Sequence, residues 1–180
     1  VPSAALGAQS TLIGLGYDPA ALAPAAIIQQ TLCQPGNRAC PVPGFAPVLM
    51  SPWAGGAAYN GRNESVWATD GLLMVETRVQ GCQAICRMPA ANGLGAGSFT
   101  GGLEISPGLG RMYQVESLPG VAALHVWNIA VCPPVVGPAC QFPLPSVAHT
   151  CGGVAIDEAN GQIFYAVSDF CAGGPANFIL

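Results

Sequence analysis

The residues able to do chemistry here are few: eight cysteines, two histidines and nine carboxylates in 180 residues. A general base needs an imidazole beside a carboxylate and a nucleophile. His125 stands in a strand-like run next to Trp127, and His149 lies in a loop beside Cys151; nothing in their spacing joins either to a nucleophile. Ser98 follows Gly93-Leu94-Gly95-Ala96-Gly97, which lacks the Gly-x-Ser-x-Gly elbow and any phosphate-loop ending, so the segment reads as a linker or turn. Asp70, Glu116 and Asp169 recur at the end of similar apolar runs. They are weak candidates for a shared cation, because calcium wants about six to eight oxygens. Turn capping by their own side chains explains them as well. Trp53, Trp67 and Trp127 with Tyr59, Tyr113 and Tyr165 could stack on a glycan, but their repeated strand positions favour core packing.

The cysteines carry the stronger signal. Cys33 and Cys40 bracket a six-residue loop, Cys82 and Cys86 bracket three residues, and Cys132 and Cys140 bracket a Pro-rich seven. A zinc site would want two short Cys arms or paired His, which are absent. Eight cysteines in so uncharged a chain indicate an oxidising compartment. The spacing predicts hairpin-mouth disulfides Cys33–Cys40, Cys82–Cys86 and Cys132–Cys140, with Cys151–Cys171 across a fourth hairpin; intermolecular bonds are the alternative. Asn63-Glu64-Ser65 is a formal glycosylation sequon.

Composition narrows the functions. Apolar residues make up 51% and charged residues 8%, against about 25% charged in an average soluble protein. The five basic residues are all Arg, and the net charge is −4. Nucleic-acid binding through many phosphate contacts is thereby excluded, as is any lysine chemistry. No uninterrupted apolar run is long enough for a membrane-spanning helix. The sequence opens at Val1-Pro2 with no visible leader, which fits a processed secreted chain or an excerpt of a longer one.

The elements that must position these residues recur. Cys40-Pro41-Val42-Pro43, Cys86-Arg87-Met88-Pro89 and Cys140-Gln141-Phe142-Pro143 share one pattern: Cys, any residue, apolar, Pro. A glycine-led strand follows each one: Gly56-Ala57-Ala58-Tyr59-Asn60, Gly102-Leu103-Glu104-Ile105-Ser106 and Gly153-Val154-Ala155-Ile156-Asp157. Gly14-Leu15-Gly16-Tyr17-Asp18 fits the same pattern after Val1-Pro2. Asn60-Gly61, Gly110-Arg111 and Asn160-Gly161 then precede β-branched and aromatic runs, a hairpin signal in which a tight turn needs positive φ. Pro19 to Leu32 is Ala-rich and could hold a helical turn.

Each unit reads as four strands in 41 to 54 residues, with approximate units 3–43, 44–89, 90–143 and 144–180 of a single β-repeat domain. That length and strand count resemble a β-propeller blade. The rhythm "Gly-apolar-x-apolar-Asp … Asn-Gly-x-apolar-Tyr" resembles the YVTN/NHL-like secreted bacterial propellers. The resemblance implies an all-β, propeller-like array of four-stranded antiparallel blades, the last incomplete. Unit four stops at Asn177-Phe178-Ile179-Leu180, where its third strand should begin.

These features predict an extracellular, non-catalytic, cofactor-free structural protein that assembles head to tail with copies of itself, as a filament or surface layer. Val1 and Pro2 at one end, and Phe178, Ile179 and Leu180 at the other, are the expected assembly edges, since open strand edges template pairing. The alternatives are a propeller enzyme, lactonase-like or a lyase, with an axial cation on Asp70, Glu116 and Asp169, or a carbohydrate-binding module.

Overall fold

A computed structural model describes residues 4–7, 11–18, 23–31, 37–41, 56–95, 98–144, 149–168 and 177–179. These residues form antiparallel strands and no helix. They group into four sheets, taken as blades 1 to 4. Blade 1 holds β1 (Ala4–Gly7), β2 (Thr11–Asp18), β3 (Ala23–Thr31) and β4 (Asn37–Pro41), in that order. Blade 2 holds β5 (Gly56–Asn60), β6 (Ser65–Thr69), β7 (Leu73–Arg78) and β8 (Ala84–Pro89). Blade 3 holds β9 (Phe99–Ser106), β10 (Arg111–Leu118) and β11 (Val121–Asn128). Its outer edge is shared by β12 (Val135–Val136) and β13 (Cys140–Pro143), both paired to β11. Blade 4 holds β14 (His149–Asp157), β15 (Gln162–Ser168) and β16 (Asn177–Ile179).

The first strands of successive blades pack on one another, β1 on β5, β5 on β9 and β9 on β14. This is the propeller arrangement, with the sheets stacked face to face and left open among the described residues. The repeated glycine has its physical reason here. A Cβ on Gly56 would stand 3.0 Å from the Leu103 amide nitrogen and 3.2 Å from the Gly102 Cα, so first strands approach too closely for any side chain.

Period-two alternation divides each blade between its two neighbours. Ala57, Val66, Ala68 and Val75 of blade 2 face blade 1 and pack with Cys40. Ala58, Trp67, Met74, Cys86 and Met88 face the other way, onto Leu103, Ile105, Met112 and Trp127 of blade 3. Val115, Ala122 and Leu144 of blade 3 then meet Val154 of blade 4, with Phe142 tilted over Tyr165 at 5.0 Å between ring centroids. Trp67 and Trp127 are therefore core residues, while Trp53 lies outside the described residues.

Three expectations about the strands are corrected. Gly14 to Asp18 belong to the second strand of blade 1, because β1 precedes them. The described part of the Ala-rich stretch, Ala23–Thr31, is strand β3 rather than a helical turn; Ile27 and Ile28 favour the extended chain, and pairing on both sides fixes it. The turns after the first strands are not two-residue Asn-Gly turns. In blades 2, 3 and 4 they are four-residue loops, closed by the pairs Asn60↔Ser65, Ser106↔Arg111 and Asp157↔Gln162. The last loop residue has positive φ in each: Glu64 at 53°, Gly110 at 64° and Gly161 at 66°. Glu64, not Gly61, thus occupies the left-handed place in blade 2.

Candidate functional site

The densest polar cluster lies where the connection from blade 2 enters blade 3. Met112, Gln114 and Glu116 alternate on the face of β10 that looks at blade 2, opposite Trp127 and His125 of β11. Gln114 and Glu116 are fully buried there. A buried carboxylate and amide must find partners, and the connection (Ala91, Gly93, Leu94 and Ser98) supplies them together with Thr100, His125 and Trp127 of blade 3. Gln114 Oε1 accepts from the Ala91 amide at 3.2 Å and from Trp127 Nε1 at 3.1 Å. Its Nε2 donates to the Ala91 carbonyl and to Thr100 Oγ1, each at 3.0 Å. Every polar valence of that amide is used.

Glu116 is held as tightly. Its carboxylate accepts from the Gly93 amide at 2.9 Å, the Leu94 amide at 3.2 Å and the Ser98 hydroxyl, and is hydrogen-bonded to His125 Nε2 at 2.7 Å. Gly93 makes this contact possible, since a Cβ there would stand 3.0 Å from His125 Cε1. Serine, glutamate and histidine are thus together, but not in the Ser–His–carboxylate order: the hydroxyl donates to the carboxylate, and the imidazole sits on the other carboxylate oxygen, so the imidazole does not face the serine. The arrangement clamps the connection to blade 3.

Asp70 does similar work at the turn after β6, where its Oδ1 accepts from the Leu72 and Leu73 amides at 2.9 and 2.7 Å. Asp70 stands just past β6 and Glu116 on β10, each engaged by donors of its own neighbourhood; Asp169 lies outside the described residues. Among the described residues no three His, Cys, Asp or Glu side chains group to hold a metal. The clamp itself was not legible in sequence: Gln and Glu at alternate strand positions ordinarily mark a solvent face. The nearby Trp127 and His125 were the available signal.

Two described carboxyls have a shifted affinity for protons. Hydrogen bonds from the Asn160 side chain and backbone hold Asp157 below the ordinary carboxylate range. Burial pushes Glu104, on the first strand of blade 3, above the ordinary carboxylate range, partly opposed by a backbone hydrogen bond at Ile105.

The cysteines join blades rather than closing hairpins. Cys40 of β4 is bonded to Cys82 in the connection between β7 and β8, with Cα atoms 5.0 Å apart. Cys86 of β8 is bonded to Cys132 in the connection after β11, at 5.9 Å. The pairs Cys33–Cys40, Cys82–Cys86 and Cys132–Cys140 are therefore incorrect. The reason is local. Thr77 pairs with Ala84 and Glu76 with Cys86, so a bulge shifts the register, and Gly81 and Cys82 take positive φ. Cys82 then packs with the cluster facing blade 1, and Cys86 with the cluster facing blade 3. Cys140 is an exposed free thiol. Cys33, Cys171 and the side chain of Cys151 lie outside what is described, as do Val1, Pro2 and Leu180. Phe178 and Ile179 form the third strand of blade 4, opposite Val167 and Ala166.

The sequence matches no family model and no curated protein. Solved structures do match in fold. A chain in the crystal structure of a nidogen/laminin complex superposes with a TM-score of 0.60 at 11% identity, over 97% of this chain and 62% of that one. The β-propeller domain of Cps50 (Swd1) from Myceliophteria thermophila gives 0.54 at 8% identity, over 93% and 49%. The chain thus spans about three fifths of the first and half of the second. The fold is of the β-propeller type.

Proposed function

We propose that this chain is an extracellular, non-catalytic scaffold that assembles with copies of itself through its end blade. One observation carries the reading. Among the described residues, the faces of blades 2 and 3 are covered by their neighbours, whereas the outward face of blade 4 carries exposed side chains. Ala155 and Phe164 pair across β14 and β15 on that face, and both are exposed, Phe164 at 43%. Gly153 occupies the first-strand glycine place, yet a Cβ there would meet nothing within 4 Å.

Blade 4 also has three strands among the described residues, where the others have at least four. A face that repeats the apolar register of the buried junctions is fitted by another blade of the same kind, supplied by a second copy. The low charge and the absence of Lys leave little to oppose such pairing. Two inter-blade disulfides suit an oxidising, extracellular setting. The two strongest hydrogen-bonding carboxylates described above are committed to holding backbone, which favours a scaffold over a catalyst.

Light scattering and sedimentation across a wide concentration range test the reading. Mass should rise with concentration, with head-to-tail particles in negative-stain micrographs, and Phe164→Asp should abolish the rise. A strict monomer at every concentration would overturn it.

A further inference from the structure

The two disulfides obey one rule: a cysteine on the outer strand of one blade bonds to a cysteine in the connection after the third strand of the next. Cys40 to Cys82 and Cys86 to Cys132 are successive rungs of one ladder. Cys140 occupies the same outer-strand place in blade 3. It stands opposite Leu124 on β11, whose side chain packs on blade 4, just as Cys86 stands on the face of blade 2 that meets blade 3. Three outer-strand cysteines therefore lie in equivalent strands and two are bonded forward, while the third is exposed and reduced. Its hairpin mate cannot serve, because Cys132 already closes the rung from blade 2. The existing rungs span 42 and 46 residues.

We propose that Cys140 is the free half of a third inter-blade staple, whose partner is a cysteine in the connection between the third and fourth strands of blade 4. The inference rests on the reading of blade 4 as a unit completed by further chain, and not on whether the completed particle polymerises. The partner thiol can come from chain continuing past β16 or from a second copy that supplies the missing outer strand. Bond formation is an exchange with a small-molecule disulfide of the oxidised-glutathione class. The Cys140 thiolate attacks one sulfur and releases one small thiolate. The partner thiolate then displaces the second, so two protein thiols are oxidised, two protons leave and one small disulfide is reduced.

Two preparations test this: the 180-residue chain refolded with a mixture of reduced and oxidised glutathione, and the product of the complete gene folded under the same conditions. Both are alkylated, digested without reduction and mapped by tandem mass spectrometry. A Cys140 link to another copy in the first preparation supports the second-copy source. A Cys140 link within one chain to a cysteine after β16 in the second supports the continuing chain. Cys140 found alkylated in both, or linked to any other cysteine of the 180 residues of its own chain, Cys151 and Cys171 included, overturns the proposal. Cys140→Ser should retain Cys40–Cys82 and Cys86–Cys132 and lose only the additional link, which separates loss of the staple from loss of folding. The particle-mass measurement above can fail while this map succeeds, and the converse.

Discussion

The junction between blades 2 and 3 and the outward face of blade 4 are built from the same repeat, yet among the described residues only one is closed. At the junction Trp67, Met74 and Met112 are fully buried, Gly56 touches the backbone of the next first strand, and a disulfide spans the outer edge. On the end face the equivalent glycine meets nothing, and Phe164 looks into solvent. The difference teaches that a blade is not a self-sufficient unit. Each sheet has two apolar faces, and its stability depends on neighbours that cover both.

The largest effect should separate those two regions directly. Trp67→Ala opens a cavity in the covered junction and is expected to cost about 3–5 kcal/mol in urea unfolding. Phe164→Ala should fall within about 0.5 kcal/mol in the monomeric chain, as exposed positions do. Equal losses at both sites would break the comparison. Next come the glycines. Gly56→Ala drives a methyl against the Leu103 amide and is expected to cost about 1–3 kcal/mol, measured by the same melts. Gly153→Ala should be close to neutral in the free chain and harmful only where another blade is packed on it.

A smaller effect reports on the junction of blades 3 and 4, through Glu104. Its carboxyl is raised by desolvation, so the native state holds the proton to higher pH than the unfolded chain does. The stabilisation is present below the ordinary carboxylate range and is lost as pH rises through the raised value. Glu104→Gln should therefore melt higher than the parent at neutral pH, with the gap closing in acid; a constant gap would sink that account. The smallest effect belongs to the turn of blade 2. Glu64 holds a left-handed conformation that Gly110 and Gly161 hold in blades 3 and 4. Replacing it with glycine should raise stability by less than about 1 kcal/mol in thermal melts, since relief of the left-handed conformation is partly offset by a more flexible unfolded chain.

Much of the fold was legible because it rests on local periodicity. The recurring glycine, the alternation in runs such as Leu103/Ile105, and the turn residues each act within a few positions, and they mark strands directly. Blade 1 was harder. Its Ala-rich third strand lacks the β-branched density that marks the others, and pairing with β2 and β4 decides it. Of the site, the cysteines were visible as a set, and Asp70 and Glu116 as recurring acids. Their partners were not, because Glu116 reaches residues 18 to 23 positions away, on a connection with no pattern of its own.

By itself the sequence determined the strand content, the repeating unit and the apolar blade faces, since all of these follow from residue type and spacing along the chain. Only the tertiary structure decided which cysteine meets which, and what the buried polar side chains hold. A single bulge between β7 and β8 sends Cys82 and Cys86 to opposite faces of one sheet. Side-chain direction across a sheet changes with every residue of register, so one extra residue redirects covalent bonds from within a hairpin to between blades.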